Sequence, residues 1–137
     1  MKITICSTTL AITLALVAIS GRWAAANPDR NLVVVTNNAD VCVKIDAIGV
    51  AAPPDGNFSR PNHDWAQVGR YEERDAAPGQ TVRFEALDGV RAQVWASLRP
   101  SADCHSRTIG GSGPYVTQAP RVHLIFAHHR FTQVALL

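Results

Sequence analysis

Between Pro78 and Leu98 the chain alternates apolar and polar side chains with a single interruption, and few folds satisfy that pattern. Val82, Phe84 and Ala86 alternate with Arg83 and Glu85, and Val90, Ala92, Val94, Ala96 and Leu98 alternate with Arg91, Gln93, Trp95 and Ser97. A period of two belongs to strands with one dry and one wet face. Asp88-Gly89 between the two runs is a strong hairpin signal. A two-residue loop there would set the dry face of one strand beside the wet face of the other. A three-residue loop, Leu87-Asp88-Gly89, pairs Ala86 with Val90, Phe84 with Ala92 and Val82 with Val94, all on one face. Because a one-residue slip inverts every side chain, the pattern predicts this loop, with Gly89 at positive φ in a bulge. Trp95 then lies on the polar face beside Arg91 and Gln93.

Residues 1–26 read as a leader rather than as part of the fold. Lys2 precedes an uncharged apolar stretch from Ile3 to Ser20, and Ala24-Ala25-Ala26 offers a cleavage site before Asn27. The rival is a membrane anchor, but an apolar run of about 18 residues is at the short end of a span. A cleaved secretory signal peptide is therefore expected, with no stable membrane span afterwards and Cys6 removed. The remaining 111 residues, 27–137, suit one domain with one core.

Once Lys2 and Arg22 leave with the leader, eleven basic and eleven acidic residues remain, so residues 27–137 are close to neutral. A neutral domain without a basic stripe argues against nucleic acid and against an anionic membrane surface as partner. Cys42 and Cys104 then have one possible connectivity, and an exported chain predicts a disulfide between them. Two free thiols or thiolate metal ligands are the alternative. No CxxC supports a redox role.

The rest reads as further short strands: Leu32 to Thr36, β-branched and buried; Val41 to Ile48, with Val41, Val43 and Ile45 dry and Cys42 on the wet side; Val122, Leu124 and Phe126; and Phe131 to Leu137. Residues 65–75 lean to strand or irregular structure. Two long loops, 49–64 and 100–120, carry the prolines and glycines. The sum is an all-β domain of six to seven short strands, a small antiparallel β-sandwich or a barrel-like relative, stapled by one disulfide.

Four groups of residues are candidates for function. Gly110 to Pro114, around Ser112, reads as a flexible glycine loop, and no nucleophile–base–orienter set can be assembled near it. Glu72, Glu73 and Asp75 read as a solvated patch beside Arg70 and Arg74. His123, His129 and a loop histidine such as His105 could hold copper or zinc, or else all three are surface residues, as are His63 and His128. Trp65, Tyr71, Trp95 and Tyr115 could form an aromatic binding surface, or pack as a satellite core under the loops. Asn57-Phe58-Ser59 is a glycosylation sequon if the source is eukaryotic.

These readings favour an exported, non-enzymatic binding module that meets another protein or a surface ligand through its long loops, with no cofactor. A periplasmic or extracellular metal-binding protein is the alternative.

Overall fold

The computed structural model describes residues 30–61 and 64–137; the expected leader and His63 lie outside them. Nine strands follow in order: β1 (Asn31–Asn37), β2 (Val43–Val50), β3 (Gln67–Ala76), β4 (Thr81–Leu87), β5 (Arg91–Leu98), β6 (Gly110–Gly111), β7 (Tyr115–Val116), β8 (Arg121–Ala127) and β9 (Arg130–Leu136). They form two sheets. One has the order β4-β1-β8-β9; the other is β3-β2-β5, with β6 and β7 both on the far side of β5. All pairings are antiparallel except β1 with β8. Val33, Val35, Phe84, Val122, Leu124 and Phe126 from one sheet meet Val43, Ile45, Ala47, Ala92, Val94 and Ala96 from the other in one core. The expected β-sandwich is the observed fold, with seven strands of seven residues or more.

The predicted hairpin at Asp88-Gly89 is not a hairpin. β4 pairs with β1 and β5 pairs with β2, so Phe84 lies beside Val33 rather than Ala92, and Ala92 lies beside Gly49. The two alternating runs face each other across the core. Alternation sets which side chains are dry, and a facing sheet covers them as well as a neighbouring strand would. Gly89 does take a positive φ, of 85°, but it serves the crossing between sheets. The turn passes over the end of β2 at backbone contact distance. A Cβ on Gly49 would lie 1.6 Å from the Asp88 carbonyl oxygen, and one on Gly89 would lie 2.3 Å from that of Val50. Asn31 fastens the crossing from the other sheet. Its buried amide nitrogen lies 3.0–3.2 Å from the carbonyl oxygens of Leu87, Asp88, Gly89 and Arg91.

Ala86 breaks the alternation before the turn. Its φ is 60°, and it is the extra residue where the β1–β4 register shifts between Asn31 and Leu32. The bulge turns Leu87 into the core in its place. A side chain in the left-handed region is strained by roughly 1–2 kcal/mol, partly offset by the freedom glycine adds to the unfolded chain. Ala86→Gly is therefore expected to stabilise the domain by about 0.5–1 kcal/mol, read as a higher denaturation midpoint. A lower midpoint would show that the Ala86 methyl packs usefully.

Cys42 and Cys104 are bonded as predicted. Cys42, expected on a wet strand face, is fully buried just ahead of β2. The segment that follows β5 covers it: Cys42 donates to the Ser101 carbonyl and accepts from the Arg99 amide. Arg99 braces the same segment through the Ser106 carbonyl and, at 2.8 Å, through Asp75.

The stretch from Gly110 to Pro114, expected to be a flexible loop, is paired. Gly110-Gly111 is β6, lying beside Leu98 and Ser97. Ser112 donates its amide to the Ala96 carbonyl and accepts the Ala96 amide on its hydroxyl. Thr117 repeats the device on Ala92. Side-chain hydroxyls thus complete the ladder where the covering strand is broken, which satisfies the buried edge of β5.

Candidate functional site

The sandwich has two ends. Asn31, Val50, Arg91 and Arg121 mark one; Asn37, Val43, Leu98 and Ala127 mark the other, with the disulfide and the β8–β9 turn. The 49–64 loop and the last part of the 100–120 loop meet at the first end, while Cys104 holds the start of the second loop at the other.

Trp65 organises the loop before β3. It is 5% exposed, its indole N–H donates to the Arg60 carbonyl, and its ring meets Phe58 edge-on at 5.6 Å. Arg60 is held in turn by Asp55 at 2.6 Å and faces Asp64 at 3.7 Å. The Arg60 guanidinium keeps the Asp55 carboxyl below its ordinary range. Phe58 lies outermost, 51% exposed, with the Arg91 guanidinium 5.3 Å from its ring centre. Arg91 also donates to the Thr117 carbonyl, which ties the first loop to the second. Tyr115, half-buried on β7, packs against Phe131 at 6.1 Å, and burial raises the pKa of its hydroxyl.

Between the loops runs an open groove of about 440 Å³, lined by Phe58, Arg60, Trp65, Arg91, Tyr115 and Gln118 among others. Its wall is aromatic, and its cationic contact is Arg91, since Arg60 at the rim is already paired with Asp55 and Asp64. Such a lining suits a ligand with flat or apolar parts and anionic or acceptor groups at its edges.

Tyr71 and Trp95 form a separate surface on the outer face of the β3-β2-β5 sheet. Their rings lie 5.7 Å apart. The Tyr71 hydroxyl donates to Gln67, whose amide donates to Gln93. Trp95 is thus on the polar face near Gln93, as the alternation predicts. Lys44 on the same face reaches Glu73 at 3.1 Å and Asp46 at 3.6 Å. The bond to Glu73 raises the Lys44 pKa, whereas burial raises that of Asp46 against the pull of Lys44. Burial, with the Glu73 carboxylate beside it, outweighs that pull, so this cluster is a structural compromise rather than a strong ion pair. Among the residues of the acidic run, Glu73 therefore neighbours Lys44 and Asp46, while Glu72 and Asp75 meet Arg74 and Arg99.

The candidate metal residues do not come together. His123 lies on β8, its ring nitrogen 2.8 Å from the Thr36 hydroxyl. His129 sits with His128 in the tight β8–β9 turn, both at positive φ, and His105 is exposed in the segment after Cys104. Among the described residues, no three His, Cys, Asp or Glu side chains are arranged to hold a metal ion.

The four aromatic candidates therefore split into two pairs. Tyr71 and Trp95 share one sheet face, while Trp65 and Tyr115 line one groove from below. Phe58, the most open ring in that groove, was legible only as the middle of the sequon. No sequence signal could reveal that Arg91 would stack on it. Comparison with known proteins adds no relative: no protein family model, curated protein or solved structure matches the chain.

Proposed function

We propose that this protein is an exported, non-enzymatic binding module whose contact site is the groove between its two long loops. One observation carries the reading: two loops far apart in sequence, with the start of β5 between them, place Phe58, Trp65, Arg91 and Tyr115 around one concave surface. Trp65 and Tyr115 give the groove a fixed wall, and Phe58 and Arg91 supply the accessible contacts. Rigid aromatic contacts beside a guanidinium are a common basis of recognition, because little side-chain entropy is lost on binding. The disulfide fits an oxidising compartment, and no helix among the described residues is long and apolar enough to cross a membrane. The partner is another protein or a surface-displayed ligand with acceptor or anionic groups. Nucleic acid is disfavoured by the even balance of charge.

Arrays of acidic peptides and of acidic glycans provide the test. The wild-type protein should bind members of one class, and Phe58→Ala should weaken that binding about tenfold, the scale of one lost aromatic contact. Its melting temperature should stay close to wild type, because half the ring is already in water. Tyr71→Ala, on the other surface, should leave binding unchanged. Binding that survives Phe58→Ala but is lost in Tyr71→Ala would move the site to the sheet face. Binding to neither class would count against the groove.

A further inference from the structure

We infer that β9 is the docking edge for a second copy of this chain, paired antiparallel about a twofold axis. The inference is independent of the groove. It rests on a contrast among the sheet edges, since an exposed edge strand presents unpaired N–H and C=O groups and is normally blocked.

Three edges are blocked. β3 carries Arg70, Glu72, Glu73, Arg74 and Asp75 along its length. The far side of β5 is covered by β6 and β7, which are separated by Gly113-Pro114. β4 carries the Arg83–Glu85 pair in its middle. β9 opens with Arg130 and carries no further charge. Among the described residues it pairs only with β8, and from Phe131 to Leu137 there is no charged side chain. Its apolar residues also face water: Val134, Leu136 and Leu137 are 49%, 69% and 50% exposed. The register shift against β8 falls at Val134, which leaves that side chain on the open side of the sheet.

A second copy is the occupant that this edge fits. A strand whose one charge, Arg130, sits at its start can lie antiparallel to itself with no like charges opposed, and the pairing would cover the exposed apolar residues of both copies. Pairing β9 with β4 of another molecule would meet Arg83 and Glu85 in the middle of the strand, so open-ended chains are disfavoured and the contact closes as a dimer. The four-stranded sheet would then run through two copies as eight strands.

Sedimentation velocity tests this on protein recovered from cells exporting the full-length sequence, over roughly 1–100 µM, the range in which a small strand-pairing interface should associate. Wild type should shift from monomer to dimer with concentration. Val134→Lys and Leu136→Lys, at exposed positions, should remain monomeric and melt at the temperature of wild type diluted to monomer, whereas Glu85→Lys on β4 should dimerise normally. Hydrogen exchange should show β9 amides gaining protection as the dimer forms. A wild-type protein monomeric throughout this range overturns the inference, and protection in that monomer of the β9 amides that point away from β8 would mean that the chain's own residues cover the edge. Dimers that persist in both lysine variants, or that Glu85→Lys abolishes, overturn it too.

Discussion

Removing the Cys42–Cys104 bond is expected to lower unfolding stability by about 4 kcal/mol, the chain-entropy value for a loop of this length. The cysteines are 62 residues apart in sequence, so the bond keeps more than half of the described chain from expanding when unfolded. The native state should change little. The covering segment keeps the Cys42–Ser101 and Arg99–Cys42 backbone bonds and the Arg99 contacts to Asp75 and Ser106. The loss therefore comes mainly through the unfolded state. Denaturant titrations of the oxidised and reduced protein should show the reduced midpoint well below the oxidised one. The reduced slope should be steeper, because an uncrosslinked chain exposes more surface. A fall of less than about 1 kcal/mol would mean that the bond pins a local segment only.

Asn37→Ala should be nearly as damaging, at about 3 kcal/mol, because a buried side chain is lost and three backbone groups, that of Ala76 buried and those of Val41 and Ala39 half-buried, lose their partner together. The Asn37 side chain is fully buried. Its amide donates to the carbonyls of Val41 and Ala76, and its carbonyl accepts from Ala39, each at 2.9 Å. One side chain thus holds the β1–β2 turn and ties it to the end of β3. At about 4 °C per kcal/mol for a domain of this size, the melting temperature should fall by more than 10 °C. Asn37→Asp makes the chemistry visible through pH. A carboxylate there would face two carbonyl oxygens, which raises its pKa in the folded state. A raised folded pKa gives stability that is present at low pH and lost as pH rises through it. The Asp variant should accordingly be more stable near pH 4 than near pH 7, measured relative to wild type at each pH. An Asp variant as stable as wild type at neutral pH would show that the Asn37 amide bonds are dispensable. Asn37 and Cys42 flank the same turn, so the two effects should not be additive.

Several features were open to reading from the residues alone. Val82, Phe84, Ala92, Val94, Ala96, Val122, Leu124 and Phe126 are dry because alternation marks them so, and all are buried. Two cysteines left only one bond to make. The buried asparagines were not legible. Asn31 reads as a polar lead-in and Asn37 as a turn residue, because their partners are carbonyls up to 60 residues away. The groove was half legible: the loops and Trp65 and Tyr115 stand out in the sequence, but Phe58 and Arg91 meet only in the folded chain.

The two turns of this protein separate what the sequence by itself determined from what the tertiary structure decided. Asp88-Gly89, chemically the better hairpin turn, crosses between sheets, while His128-His129 makes the tight hairpin, with Ala127 opposite Arg130. The sequence determined most of the long strands and their dry faces, where the backbone can turn and which thiols can bond, because each of these depends on a few neighbouring side chains; β6 and β7, inside an expected loop, came only with the fold. It did not determine which strand lies beside which. A dry face is equally well covered by a neighbour in its own sheet or by the sheet opposite. That choice was made by contacts across the whole chain: β1 seating between β4 and β8, β2 between β3 and β5, and the Asn31 amide among four carbonyls where the chain passes from one sheet to the other.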